Sequence, residues 1–159
     1  MFFLKKKNKG NEIVAMATGK ILSIDNSVDE VFANKIIGDG FLIRPSNNQV
    51  VSPVSGEIIM TFPTKHAIGI KDLDGNEYLI HVGVDTVSLN GDGFESSIEV
   101  GQKVEKGELL LTCDFEGIKN RVKSTDVILI FTDKRSCEVI QEKLVQAGES
   151  NIIKIDGGK

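Results

Sequence analysis

Cysteine, histidine and long apolar runs are all scarce in this chain, and each scarcity narrows what it can be. Two cysteines, Cys113 and Cys137, in 159 residues make no disulfide framework. Neither has a histidine within a few residues to activate it, so both are read as buried free thiols. No apolar run approaches the ~20 residues that span a bilayer. Basic charge is not in excess: nineteen lysines and arginines face twenty-three acids, for a net charge of −4 and a pI near 5.2. Without a basic field, nucleic acid is excluded as the main partner. With 40% hydrophobic and 26% charged residues, wholesale disorder and fibrous repeats are excluded as well.

The amino-terminal Met1-Phe2-Phe3-Leu4-Lys5-Lys6-Lys7-Asn8-Lys9 is not a secretory signal, because its apolar part is far shorter than an h-region and the lysines follow it. Residues 1–10 are expected to form a flexible tail, 11–159 a single domain, and the whole to be cytoplasmic. The three apolar side chains and four lysines of the tail fit weak, salt-sensitive adsorption to an anionic membrane surface.

What is present points to strands. Nineteen isoleucines and fifteen valines outnumber eleven leucines and five alanines two to one, and sixteen glycines supply turns. Strand-like runs recur over Glu12 to Ala15, Lys20 to Ile24, Phe41 to Arg44, Glu57 to Thr61, Ala67 to Ile70, Glu77 to Val82, Leu109 to Cys113, Val127 to Phe131 and Ile152 to Ile155. This predicts an all-β, antiparallel sandwich or barrel. One short carboxy-terminal helix is predicted from Ser136 to Ala147, where Cys137, Ile140 and Leu144 share a stripe and Gly148 follows. Internal similarity adds a duplication: Val14-Ala15-Met16-Ala17-Thr18-Gly19-Lys20-Ile21 resembles Val51-Ser52-Pro53-Val54-Ser55-Gly56-Glu57-Ile58, and Gly38-Asp39-Gly40-Phe41 recurs as Gly91-Asp92-Gly93-Phe94. Val100-Gly101-Gln102-Lys103-Val104-Glu105-Lys106-Gly107 reads as a further glycine-marked hairpin. Two related units packed together bury what neither buries alone.

The only two histidines, His66 and His81, flank Lys71-Asp72-Leu73-Asp74-Gly75-Asn76-Glu77, a strong hairpin signal. With Asp74 and Gly75 central, His66 opposes Gly83 and lies diagonal to His81, ~7–8 Å away along one face. A three-residue loop would separate the rings unless a bulge restored the phase; convergence is expected. Alternation places Ile68, Ile70 and Leu79 on that face, with Phe62 and Val87 at its flanks. Converging imidazoles among apolar side chains can serve as metal ligands, an acid–base pair, or a nucleophile with its assistant.

Two resemblances fail on chemistry. His81-Val82-Gly83-Val84-Asp85 resembles the H-x-G-x-D element of lysostaphin-type zinc endopeptidases, but no later histidine supplies a third ligand. Ser52-Pro53-Val54-Ser55-Gly56 with Val100 to Gly107 resembles biotinyl and lipoyl carrier domains, yet the lysine those domains modify has no counterpart.

A third resemblance covers nearly the whole chain. Phe62-Pro63-Thr64-Lys65-His66-Ala67 followed by His81-Val82-Gly83-Val84-Asp85-Thr86-Val87 resembles the glucose-type IIA component of the bacterial sugar phosphotransferase system. Val31-Phe32-Ala33, Gly38-Asp39-Gly40, Pro53-Val54-Ser55-Gly56, Leu89-Asn90-Gly91-Asp92-Gly93-Phe94 and Gly101-Gln102-Lys103-Val104 belong to the same likeness. Ala15-Met16-Ala17-Thr18-Gly19 departs from a usual Ala-Pro-x-Ser-Gly, and Leu79 stands where phenylalanine is common. The resemblance implies a phosphotransferase without metal or cofactor. In it His81 takes a phosphoryl group on Nε2 from phospho-HPr, with Nδ1 held by the Gly83 carbonyl. His81 then passes the group to a cysteine of the IIB domain of a membrane permease (IIBC). It further implies that His66 assists, that Thr64 orients His66, and that Phe32, Phe62, Leu79 and Val87 form an apolar docking platform flanked by Asp29 and Asp85. The competing class is a regulatory module that uses the histidine face only to bind protein targets.

Overall fold

The computed structural model describes residues 12–156. The tail of residues 1–10, with its expected membrane adsorption, lies outside the described residues. Thirteen strands carry the described chain: β1 (Gly19–Ser23), β2 (Gly40–Pro45), β3 (Gln49–Val51), β4 (Gly56–Thr61), β5 (Ala67–Asp72), β6 (Glu77–Val84), β7 (Phe94–Glu95), β8 (Lys103–Val104), β9 (Leu109–Cys113), β10 (Ser124–Phe131), β11 (Ser136–Val139), β12 (Leu144–Val145) and β13 (Ile153–Asp156). Two single-turn helices, α1 (Glu30–Ala33) and α2 (Phe115–Ile118), and 3-10 turns at Ile24–Asn26 and Thr86–Leu89 complete it.

All strand pairs are antiparallel, as expected. An eight-stranded sheet runs β12-β1-β2-β10-β6-β5-β4-β8, with β3-β9-β7 and β11-β13 as smaller sheets. Alternation along the large sheet sends Phe41, Ile43, Ile80, Val82, Val127, Leu129 and Phe131 into the main core. The other face buries Leu22, Leu42, Val84, Ile128 and Ile130 in a second cluster, capped by Ile24 and Phe32 from the segment after β1. Central β10 is apolar at every step from Val127 to Phe131 because both its faces are covered.

The expected duplication is visible in the backbone. Val14 N donates to Pro53 O at 3.0 Å and Val51 N to Met16 O at 2.8 Å, so each bond is the image of the other thirty-seven residues on. Gly19 opens β1 between Pro45 of β2 and Val145 of β12; its image Gly56 opens β4 between Asp72 of β5 and Val104 of β8. A Cβ at either glycine would overlap the neighbouring strand's carbonyl, of Arg44 or Lys71.

Two expectations need correction. Glu12 to Ala15 is irregular rather than a strand. The helix expected from Ser136 to Ala147 is instead β11, a connection and β12. The physical reason is a second repeat: Val145-Gln146-Ala147-Gly148-Glu149 copies Val104-Glu105-Lys106-Gly107-Glu108. Gly148 N donates to Ala15 O as Gly107 N donates to Ser52 O, each at 2.8 Å. In each copy the glutamate carboxylate accepts from the amide three residues back. Gly148, at φ +90, therefore closes a tight turn rather than a helix.

Candidate functional site

His81 sits on β6 between β10, where it faces Ile128, and β5, where it faces Ala67. Its neighbours Ile80 and Val82 enter the main core, so the imidazole points to the opposite face. Beyond it the strand turns at Gly83, at φ +76, a conformation that a Cβ would strain and would also drive into Thr86 Cγ2. That turn brings the Gly83 carbonyl within 2.7 Å of His81 Nδ1. A carbonyl only accepts, so Nδ1 carries the hydrogen and a neutral ring leaves its lone pair on Nε2.

The hairpin differs from expectation by one residue. Lys71 pairs with Glu77 and Ala67 with His81, so His66 stands opposite Val82 rather than Gly83. The cause is Asp72, whose carboxylate accepts from Asp74 N at 2.9 Å, Asn76 N at 3.0 Å and Tyr78 Oη at 2.8 Å. These bonds favour a three-residue loop, Leu73-Asp74-Gly75, closed by Asp72 N to Asn76 O at 2.8 Å. Accordingly Ile68 and Ile70, expected beside the histidines, face the main core, while Leu79 lies on the His81 side against the second cluster.

The rings converge all the same. His66 precedes β5 and follows Lys65, whose φ of +62 turns the chain, so the pleat's alternation does not reach it. Its ring centroid is 5.1 Å from that of His81 at an interplanar angle of 74°. Thr64 Oγ1 lies 2.6 Å from His66 Nδ1. Phe62 stacks beside His66 at 5.3 Å and Phe32 beside His81 at 5.1 Å, so four rings run in a row. Phe32 is buried, whereas Phe62 is 37% and Val87 53% exposed. Asp29 caps α1 by accepting from Val31 N at 2.7 Å, which fixes the turn that carries Phe32. Asp85, exposed at φ +67, and Val87 follow on the turn after β6; among the described residues no hydrogen bond or ion pair joins either to a histidine.

Burial holds His81 below the ordinary histidine value of 6.5, opposed by the Gly83 carbonyl and the Asp29 charge. Burial, and then the neighbouring His81, hold His66 below that value too. Both imidazoles are thus neutral at pH 7, and His81 presents a nucleophilic nitrogen on an apolar surface. Among the described residues no group of three or more His, Cys, Asp or Glu is placed to hold a metal ion. The two thiols are free, and burial pushes both up to about 12, which leaves them unreactive.

The model of the EIIA 1 family of the phosphoenolpyruvate-dependent sugar phosphotransferase system matches residues 11–137. The chain belongs to this family. A glucose-specific EIIA component of Bacillus cereus is 41% identical over 158 residues, covering 98% of this chain and 96% of the relative. A glucosamine-specific EIICBA component of Bacillus subtilis is 50% identical over 115 residues, which are 72% of this chain and 18% of that one. Among solved structures, glucose permease IIA from Mycoplasma capricolum superposes with a TM-score of 0.84 at 40% identity, over 89% of this chain and 94% of that one. The chain is therefore a phosphotransfer component of the EIIA type, and the fold expected from its strands is the fold of that family.

Within this EIIA frame, sequence reasoning overlooked Thr86, fully buried with its hydroxyl donating to Val82 O at 2.6 Å. A threonine three residues after the turn glycine was the available signal. Val28 and Val31, 46% and 41% exposed around the cap of α1, extend the apolar surface beside Phe32 and were overlooked too.

Proposed function

We propose that the chain is a cytoplasmic glucose-type phosphocarrier that takes a phosphoryl group from phospho-HPr on His81 and gives it to a cysteine of a IIB domain. The bond from His81 Nδ1–H to the Gly83 carbonyl carries this reading, because it commits Nε2 to the nucleophilic role. In the first transfer the Nε2 lone pair forms a bond to phosphorus while the bond to the donor breaks, its electron pair returning to the donor. In the second, a IIB thiolate forms the new bond to phosphorus and the Nε2–P pair returns to His81. The chemistry asks the protein mainly for positioning and for stabilisation of charge on the equatorial oxygens.

The neighbours divide that work. Thr64 donates its hydroxyl hydrogen to His66 Nδ1, so that His66 Nε2–H donates to a phosphoryl oxygen. Phe32, Phe62, Leu79 and Val87 form the dry platform on which donor and acceptor dock, and keep water from phosphohistidine. Asp29 and Asp85 meet basic groups of the partners at its rim. The EIICBA relatives, in which this domain forms one part of a longer permease chain, support a IIB domain as acceptor. The test is to label the chain from phosphoenolpyruvate with enzyme I and HPr, then chase with membranes holding a IIBC permease and glucose. Labelling followed by discharge that requires the permease, and that runs to completion only when sugar is also present, is expected. A chain that binds HPr yet takes no label is a docking module, and the proposal fails.

A further inference from the structure

We infer that Thr86 is a positioning residue for phosphoryl transfer: it braces the Val82–Gly83 backbone so that the Gly83 carbonyl stays aimed at His81 Nδ1 and Nε2 stays unprotonated. The inference rests on the reading of His81 as the phosphoryl acceptor.

The argument begins with where the strand's hydrogen bonds go. Val82 directly precedes Gly83, where β6 bends, and its amide donates to His66 O at 2.7 Å. Its carbonyl receives the Thr86 hydroxyl at 2.6 Å, which pins the Val82–Gly83 peptide plane. At Gly83 the backbone takes φ +76, and the next carbonyl leaves the ladder to meet His81 Nδ1 at 2.7 Å. A carbonyl at such a corner has water and neighbouring amides as rival partners, so a short bond to one ring nitrogen requires its direction to be held.

Thr86 holds it from two sides. The hydroxyl grips the residue before the turn, and the Cγ2 methyl lies against Gly83 so closely that any Cβ there would overlap it. The Ser124 carbonyl of β10 closes on the same position, 3.0 Å from where a Cβ would sit. Thr86 is itself fully buried at the start of the 3-10 turn Thr86–Leu89, so neither contact is free to drift. Thr86 is hydrogen-bonded to Val82 and not to the histidine; its effect on the nucleophile passes through the backbone.

Each contact can be removed separately. Thr86→Val keeps the methyl and loses the hydroxyl, Thr86→Ser keeps the hydroxyl, and Thr86→Ala loses both. The readouts are the His81 tautomer, from long-range proton–nitrogen correlations on 15N-histidine protein above pH 7.5, and the rate of labelling from phospho-HPr. Wild type is expected with Nδ1 protonated. Thr86→Val and Thr86→Ala are expected to show mixed protonation of Nδ1 and Nε2 and labelling slowed roughly 10- to 100-fold, with Thr86→Ala the more affected and Thr86→Ser, which loses only the methyl, less affected than either. A Val or Ala variant with the wild-type tautomer and rate overturns the inference. So does labelling slowed only in proportion to the fraction unfolded, or slowed with the tautomer unchanged. Wild-type chain that shows the Nδ1–H tautomer but takes no label instead defeats the acceptor reading.

Discussion

The ring centroids of His66 and His81 lie 5.1 Å apart, although the register of their hairpin pairs His81 with Ala67. At that separation both rings cannot be protonated without mutual repulsion, and burial already disfavours the charge on each. Two neutral rings, each with one N–H and one lone pair, are the arrangement the pair favours at neutral pH.

Acid should therefore weaken the fold through this pair. Both histidines titrate below 6.5 when folded, so the unfolded chain binds more protons in that range and stability rises with pH there. Their contribution is fully present above about pH 6.5 and is lost as pH falls below it toward the lowered folded values. Urea midpoints at pH 7.5 and 5.5 should drop more for wild type than for His66→Gln, which removes one titrating ring and its repulsion. An equal drop in both would contradict the account.

His66→Gln should separate the two half-reactions. His81 Nε2 remains, so labelling from phospho-HPr continues, while transfer to IIB slows by ~10²–10³-fold on losing one charge-stabilising donor. Rapid-quench measurement of each step decides it; equal impairment of both would show that His66 instead holds the site together.

Asp72→Ala tests the hairpin tip. Its carboxylate accepts from Tyr78 Oη at 2.8 Å, and Tyr78 is 1% exposed, so the substitution leaves the buried hydroxyl's hydrogen without its acceptor, Arg135 Nη1 still donating to its oxygen, and frees two turn amides. A loss of about 1–3 kcal/mol in urea unfolding is expected. Ile68 and Ile70 still anchor β5 in the core, so the folded fraction should label at the wild-type rate.

Gly83→Ala should fail on both counts. The left-handed conformation alone costs ~1–2 kcal/mol, and the new methyl meets Thr86 Cγ2 and the Ser124 carbonyl. Stability and labelling should fall together, the latter because the carbonyl that holds His81 is displaced.

Much of this was legible in the chain. Eight strand-like runs became strands because alternating isoleucine and valine between glycine turns admits little else, and the histidine pair stood out because there are only two, at the ends of one hairpin. Three things were hidden for physical reasons. Cys137, Ile140 and Leu144 fall at helical spacing by coincidence, and only the turn repeated at Gly107 and Gly148 reveals β12. The Asp74-Gly75 pair suits a two-residue turn, but the side-chain bonds of Asp72, invisible to dipeptide patterns, select the longer loop. The brace at Thr86 depends on the backbone turning at Gly83, which spacing alone does not convey.

The most direct test of the account is the site of the label itself. Wild-type chain and His81→Gln, labelled from phosphoenolpyruvate through enzyme I and HPr, are compared by phosphate stoichiometry and by phosphorus–nitrogen correlation on 15N-histidine protein. The account predicts one phosphoryl group per wild-type chain, bonded to His81 Nε2, and none on His81→Gln, whose amide lacks a nucleophilic nitrogen lone pair. Label on the variant, or a wild-type bond to Nδ1 or to His66, would contradict it.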